Sequence, residues 1–351
     1  MKERIQVTKR QHYVFRKYLK SWADTKASDP QLSAFDKHSK RIFRSGLMGV
    51  AQQNYFYEFK VLSEAEKMMA IILSTSKYQV LNDNDPYFTI RELDNINLAE
   101  RIESSKSDSQ YSSQYFIDLR RQLGEVKQSK YEEIGQKFIN HLLKEDVSFY
   151  SDIKERTDFI YFFIMQYIRT KAMRESLNDT FSNLHKDHDR LIGSLNVVSN
   201  LAKNHGISFD REKAERELEN LDENMIFDHV SPFIIYTTVD ELTYAFSHLQ
   251  KLNLYIIKAH QDTKFITGDQ PAINIHSPTP NSKEEVNDLE FYYPLSPNIG
   301  IILNFADHEA WPDTLSKEQT LELNQKIFEA AHRQVYAIDE NAFHSGGIDL
   351  R

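Results

Sequence analysis

The sequence predicts an α+β protein: an N-terminal β-hairpin and a C-terminal, mainly antiparallel sheet packed with a helical middle region. Three observations carry this. In "PQLSAFDKHSKRIFRSG" (30–46), apolar runs flank Asp36-Lys37-His38-Ser39, the pattern of two strands about a polar turn. Over 61–250, apart from 77–113, apolar side chains recur at three- and four-residue spacing, as on a helix face. Beyond residue 250 the runs are short, β-branched or aromatic, and separated by Gly, Pro and polar residues. All 351 residues are read as one domain, with the hairpin region at 1–60, the helical region at 61–250 and the sheet region at 251–351.

Taken in order, "QHYVFRKYLKSW" (11–22) is a short aromatic-rich element that precedes the hairpin. Ser63 and Glu66 stand at capping-box spacing ahead of Met68, Ile71 and Ile72, which marks a helix start. Periodicity is lost over 77–113, and "SSKSDSQYSS" (104–113) is polar enough for a loop or surface insertion. Helices follow in "YFIDLRRQLGEVKQ", "YEEIGQKFINHLL", "FIYFFIMQYIRTKAMRESL" and "RLIGSLNVVSNLAKNHG", the last stopped by Asn-His-Gly. Thr238 and Glu241 predict another start before "LTYAFSHLQ". The strands are "LYIIKA", "KFIT", "PAINI", "EFYYPL", "IGIILN" and "VYAID", with a helix at 316–334 whose cap is Ser316 and whose third position is Gln319.

Composition narrows the chemistry. The chain has no Cys, which removes disulfides, thiolate zinc sites, Fe–S clusters and cysteine nucleophiles. No apolar run follows the opening Met-Lys-Glu-Arg, and "FIYFFIMQYI" (159–168) is too short to span a bilayer, so a cytoplasmic protein without membrane partners is expected. The net charge of −9 is uneven: residues 1–44 hold 12 Lys/Arg against 4 Asp/Glu, the remainder 31 against 48. A basic end attracts phosphates, but such splits more commonly lie on solvated faces. G-x-S-x-G, G-x-G-x-x-G, a Walker loop and H-E-x-x-H are all missing. His185, His188 and Asp189 have metal-ligand spacing within a densely charged stretch that reads as surface.

The sharper candidates lie elsewhere. A helix over 159–177 aligns Phe159, Phe162, Gln166, Arg169, Thr170 and Met173 on one stripe. If that face is buried, Arg169 requires a carboxylate or a bound anion. Asp269, in "KFITGDQPAINI" (264–275), is the natural partner or the neighbour of a shared ligand. Gly268 permits positive φ or close approach there, and Pro271 holds Gln270 extended. The plainer reading of Asp269 is a turn residue accepting backbone N–H bonds. His12, beside Gln11 and Tyr13, is a second titratable candidate. Asn324 falls between Leu321, Ile327 and Phe328 and needs partners for its amide.

"HYVFRKYLKSW", "VAQQNYFYEF", the helix with Gln166 and Arg169, "FITGDQPA" and "YPLSPNIGIIL", followed by the helix bearing Asn324, resemble in their order the bacterial proteins grouped as domain of unknown function 4238. The resemblance covers nearly the whole chain. It departs from the family pattern at Phe15, Gly268 and Gln270, where the family has Pro, Ser and Asn, and His12, Gln166, Arg169, Asp269 and Asn324 match. The resemblance implies that these scattered polar positions form one composite pocket. The leading expectation is a phosphodiester-cleaving hydrolase, a nuclease of bacterial conflict or phage defence. Asp269 would act as ligand to a divalent cation (Mg or Mn) or as base, His12 as general acid or base, and Arg169 with Gln166 would hold a phosphate, supported by Asn324. Nucleic acid or another phosphate-bearing ligand is the expected partner. The competing expectation is a binding or interaction module, for a small anion or a protein partner, in which the same residues are a buried polar network.

Overall fold

The computed structural model describes residues 5–24, 29–75, 87–181, 188–219, 223–277, 279, 288–305 and 309–348. It is α+β, as the sequence predicts, with an N-terminal antiparallel hairpin, a helical middle and antiparallel C-terminal strands. The backbone forms two compact units built from interleaved segments. The first comprises Met1–Gln11, Tyr57–Ser129 and Ser176–Leu242; the second comprises His12–Phe56, Lys130–Glu175 and Thr243–Arg351.

The chain opens with β1 (Arg10–His12), α1 (Arg16–Leu19), the hairpin strands β2 (Gln31–Asp36) and β3 (Arg41–Gly46), and β4 (Gln52–Asn54). The second unit holds two four-stranded sheets. β2 and β3 pair in register from Gln31 opposite Gly46 to Asp36 opposite Arg41. The hairpin's partners are not neighbours in sequence. β2 pairs on its other side with β10 (Gln334–Ala337), which pairs in turn with β6 (Thr267–Gly268). The other sheet runs in the order β5 (Asn253–Lys258), β9 (Ile299–Asn304), β8 (Glu290–Pro294), β7 (Ile273–Asn274), all antiparallel. β8 is buried along its whole length, which is why "EFYYP" reads as a continuous apolar run without alternation.

Asp36 closes the hairpin. Its Oδ1 accepts the backbone N–H of His38 (3.0 Å) and Ser39 (2.9 Å), and its Oδ2 accepts from Arg333 Nε (2.7 Å). The Ser39 N–H foremost, then the Arg333 guanidinium, draw this buried carboxyl down to about 2 against the opposing effect of burial. A carboxyl depressed on folding stabilises the fold above its unfolded pKa and stops doing so as pH falls through the folded value. About 2 kcal/mol should therefore be lost between roughly pH 4 and pH 2. Acid titration of the parent beside Asp36→Asn checks this; the variant should be less stable at pH 7 and lose less over that window. Next to it, Lys37 Nζ donates to the carbonyls of Phe328 (2.8 Å) and Ala331 (2.7 Å), at the C-terminal end of α10 (Lys317–Ala330). A cation there offsets the unsatisfied carbonyls of the last turn.

The first unit is helical. Its core joins α2 (Glu64–Leu73), α3 (Phe88–Ser104), α7 (His188–Asn204), α8 (Arg211–Leu218) and α9 (Glu223–Tyr244) through Met68, Ile90, Leu195, Val198, Ala214 and Phe233. The Ser63/Glu66 and Ser316/Gln319 capping boxes form with both reciprocal bonds present. Gly206 ends α7 in the left-handed region (φ 67°), as the Asn-His-Gly stop predicts.

Four expectations are corrected. α3 occupies part of the stretch read as aperiodic; its buried face is only Thr89, Ile90 and Leu93, while Leu98 and Ile102 face outward, so no wide apolar stripe marks it. The part at 77–86 lies outside the described residues, and turns cover 105–112. Thr238 and Glu241 start no helix: they lie within α9, because the apolar run from Phe233 continues the helix through them. The third correction concerns 159–177. α5 (Ile153–Ile168) stops at Arg169, and α6 (Lys171–Phe181) restarts with Thr170 Oγ1 accepting the N–H of Met173 (3.4 Å). The two helix-like segments within 115–143 instead form one helix, α4 (Ser113–Leu142). The His185/His188 pair lies outside the described side chains. Among the described residues no helix is long and apolar enough to cross a membrane.

Candidate functional site

Every sequence-predicted site residue belongs to the second unit. Arg169, at the end of α5, has no solvent exposure, and Gln166 one turn earlier has 1%. Arg169 Nη2 donates to Gln166 Oε1 (3.0 Å), and Nη1 meets Glu132 Oε1 on α4 (2.8 Å). Packing dictates this pairing. A Cβ at Gly135 would fall 1.9 Å from Phe162 Cδ2, so only glycine lets the two helices touch there. Three residues before Gly135, Glu132 then meets Arg169, two turns beyond Phe162.

His12 adjoins this pair. Burial, then the positive charges of Arg16 and Arg169, lower its imidazole to about 4, while a bond to the Val50 backbone works in the opposite direction. The ring is therefore neutral at physiological pH. A neutral imidazole has one N–H and one acceptor nitrogen, and the Val50 carbonyl accepts from the N–H. Tyr293 completes the cluster, its hydroxyl within the electrostatic reach of both Arg169 and Glu132 and its ring stacked on Tyr18 (4.9 Å between centroids). Tyr18 is itself anchored to Thr267 Oγ1 (2.6 Å) and to the Pro294 carbonyl (2.7 Å). Gln166 Nε2 and the Tyr293 hydroxyl are buried with no hydrogen-bond partner among the described residues.

Asp269 is placed differently. Its carboxylate accepts the backbone N–H groups of His332 (2.8 Å), Arg333 (2.9 Å) and Gln334 (2.9 Å), and its own N–H donates to the Gln334 carbonyl (2.9 Å). Burial pushes its carboxyl up while those three N–H groups pull down, and burial prevails. The side chain is the splice that docks the α10–β10 connection on β6. Gly268 contributes by close approach: a Cβ there would lie 3.2 Å from Ala331 Cβ and from the Gln334 carbonyl oxygen. Asp269 is thus not the partner of Arg169, and its oxygens are already engaged by backbone donors. Among the described residues no group of three or more His, Asp or Glu side chains is arranged to hold a metal ion. Asn324 also serves backbone: Oδ1 accepts from Ile266 N (3.0 Å), and Nδ2 donates to the carbonyls of Lys264 (2.9 Å) and Gly346 (3.4 Å).

The structure therefore brings together His12, Gln166 and Arg169, adds Glu132 and Tyr293, and assigns Asp269 and Asn324 to a neighbouring scaffold. The two groups are linked through Gln270. Its Oε1 accepts from Thr170 Oγ1 and its Nε2 donates to the Tyr167 carbonyl (3.0 Å), which fixes the helix break just after Arg169. Sequence reasoning missed Glu132. The available signal was a carboxylate three residues before Gly135 and seven before Ile139, on the apolar face of its helix.

No curated protein and no solved structure matches the chain. The family described as "Protein of unknown function (DUF4238)" matches residues 10–341, a span that contains both helices of the Arg169 cluster, the Asp269 splice and the helix of Asn324. With nearly its whole length matched, the chain belongs to the DUF4238 family.

Proposed function

We propose that the protein binds a phosphate-bearing ligand at the His12–Gln166–Arg169 cluster. The observation that carries this is Gln166 Nε2, a buried donor with no partner among the described residues, beside a guanidinium that already shares the Gln166 oxygen. A buried donor left unmatched costs about 1–3 kcal/mol, a cost that an incoming anionic oxygen removes. Glu132 occupies the guanidinium in the resting state and retains 23% side-chain exposure, so it can yield to a competing anion.

Phosphodiester cleavage, in the nuclease role expected of a phage-defence protein, is the second reading, and His12 favours it. An imidazole neutral at pH 7 beside an anion-holding arginine is suited to take a proton from an attacking water or ribose hydroxyl. A divalent cation brought in with the phosphates would supply charge neutralisation, so the assay includes Mg²⁺ and Mn²⁺ arms.

Calorimetric titration with inorganic phosphate and with a short oligonucleotide tests the first reading. Gln166→Leu should weaken binding at least tenfold; it also removes the acceptor of Arg169 Nη2, so it should melt a few degrees below the parent while remaining folded at the assay temperature, and equal affinity in the two folded proteins would overturn the reading. Labelled single- and double-stranded DNA and RNA test the second, beside His12→Gln. With His12 as base, the acid limb of the rate profile should fall near pH 4, well below that of an ordinary histidine. A limb near pH 6.5, or undiminished cleavage by His12→Gln, would remove His12 from the chemistry.

A further inference from the structure

Elsewhere in the same unit lies a cavity of about 310 Å³ lined by Glu290, Glu309, Ala310, Trp311, Pro312 and Gln319. Glu290, at the start of β8, is only 6% exposed. Its Oε1 accepts the Trp311 indole N–H (2.6 Å) and Asn304 Nδ2 (2.8 Å), and its Oε2 lies 3.3 Å from His276 Nε2. The carboxylate is therefore held rigidly where it meets the cavity. Asn304 has no solvent exposure, and its Oδ1 is a buried acceptor without a partner among the described residues. Glu309, on the rim, is exposed.

Among the described residues the lining has two carboxylates, one indole and no Lys or Arg. Trp311 donates its N–H through the ring edge, which leaves the π faces for another contact, and no described aromatic ring stacks on it. Carboxylate together with an indole face is the chemistry that recognises ammonium and guanidinium groups. The size agrees: small-molecule sites begin at about 300 Å³, whereas a metal ion requires a tight shell of several oxygen or nitrogen donors.

We propose that this cavity binds a small organic cation, an alkylammonium or alkylguanidinium group, with Glu290 and Glu309 supplying charge and Trp311 the ring face. Free polyamines and Lys or Arg side chains share this chemistry. The reading is independent of the anion cluster, since none of the residues concerned is shared.

The chain contains only two Trp, and Trp22 is fully buried, so a change in emission on titration reports on Trp311. The full-length protein would be titrated at fixed ionic strength with agmatine, with butylamine, with a Gly-Lys-Gly peptide, with butanol as the neutral isostere, and with Mg²⁺ alone. Saturable binding of agmatine, butylamine or the peptide, with no response to butanol, is expected, and the tightest of the three identifies the source. Glu309→Gln, a surface change that leaves the fold intact, should weaken the best cation at least fivefold. Trp311→Leu should weaken it further, followed by calorimetry because the fluorescent reporter is then lost. The proposal is overturned if no cation saturates, if butanol binds equally, if Mg²⁺ displaces the organic cation at lower concentration, or if Glu309→Gln binds as the parent does.

Discussion

Asp269→Ala should unfold the protein some 10 °C earlier than the parent, whatever it does to activity. The substitution leaves the N–H groups of His332, Arg333 and Gln334 facing a void in a place that is 2% exposed. Water can replace at most part of this. Bonds from backbone N–H to an ionised acceptor contribute about 1.5–3 kcal/mol each; recovery of the solvation of a buried carboxylate offsets some of the loss, and about 4 kcal/mol remains. Asp269→Asn should lose nearly as much, because its amide NH₂ would confront a donor where Oδ1 or Oδ2 now accepts. Chemical denaturation of the two variants measures both. A variant within 1 kcal/mol of the parent would show that the 332–334 turn does not depend on this carboxylate. The result also decides how catalysis is probed: activity lost in an Asp269 variant would report on folding, so His12 and Gln166 are the positions to substitute.

Arg169→Met should both destabilise the second unit and abolish anion binding. Removing the guanidinium leaves Glu132 Oε1 without its 2.8 Å partner and Gln166 Oε1 without a donor, in surroundings where Arg169 itself is fully enclosed. Truncating one member of a buried pair costs about 3–5 kcal/mol; Glu132 can turn partly to solvent, so the lower end of that range is expected. The pair is separable by a cycle. Glu132→Gln alone should cost less and should tighten phosphate binding, because the competitor for the guanidinium loses its charge. Combining the two should recover about 1–2 kcal/mol relative to additivity. Phosphate affinity unchanged in Glu132→Gln and in Arg169→Met alike would detach the cluster from ligand binding and leave it as a structural ion pair.

Local features with short-range causes were legible in the sequence. The hairpin could be read because Asp36 signals its turn and the flanking strands pair with each other, and both serine caps because their partners lie three residues away. The same logic misled at Thr238, where capping-box spacing recurs inside a helix whose upstream residues are equally apolar. It also hid α3, whose buried stripe is a few residues wide. Arg169 was legible as a buried charge needing a partner, but its partner was not, since pairing with Glu132 depends on the Gly135–Phe162 approach of two helices. Asp269 could be recognised as rigidly placed. The identity of what it holds, three amides more than sixty residues downstream, is a tertiary fact that no local pattern encodes.

The sheet that contains the hairpin has a consequence for how the molecule is made. β2 gains its second neighbour only from β10, about three hundred residues later, so on the ribosome the hairpin emerges with one row of amides and carbonyls unclaimed until the segment at 334–337 has been synthesised. Such a waiting strand is adhesive toward other nascent chains. In the finished protein Lys37, Asp36 and Arg333 fasten that late-arriving partner at the turn, so its arrival is the event that ends the vulnerability.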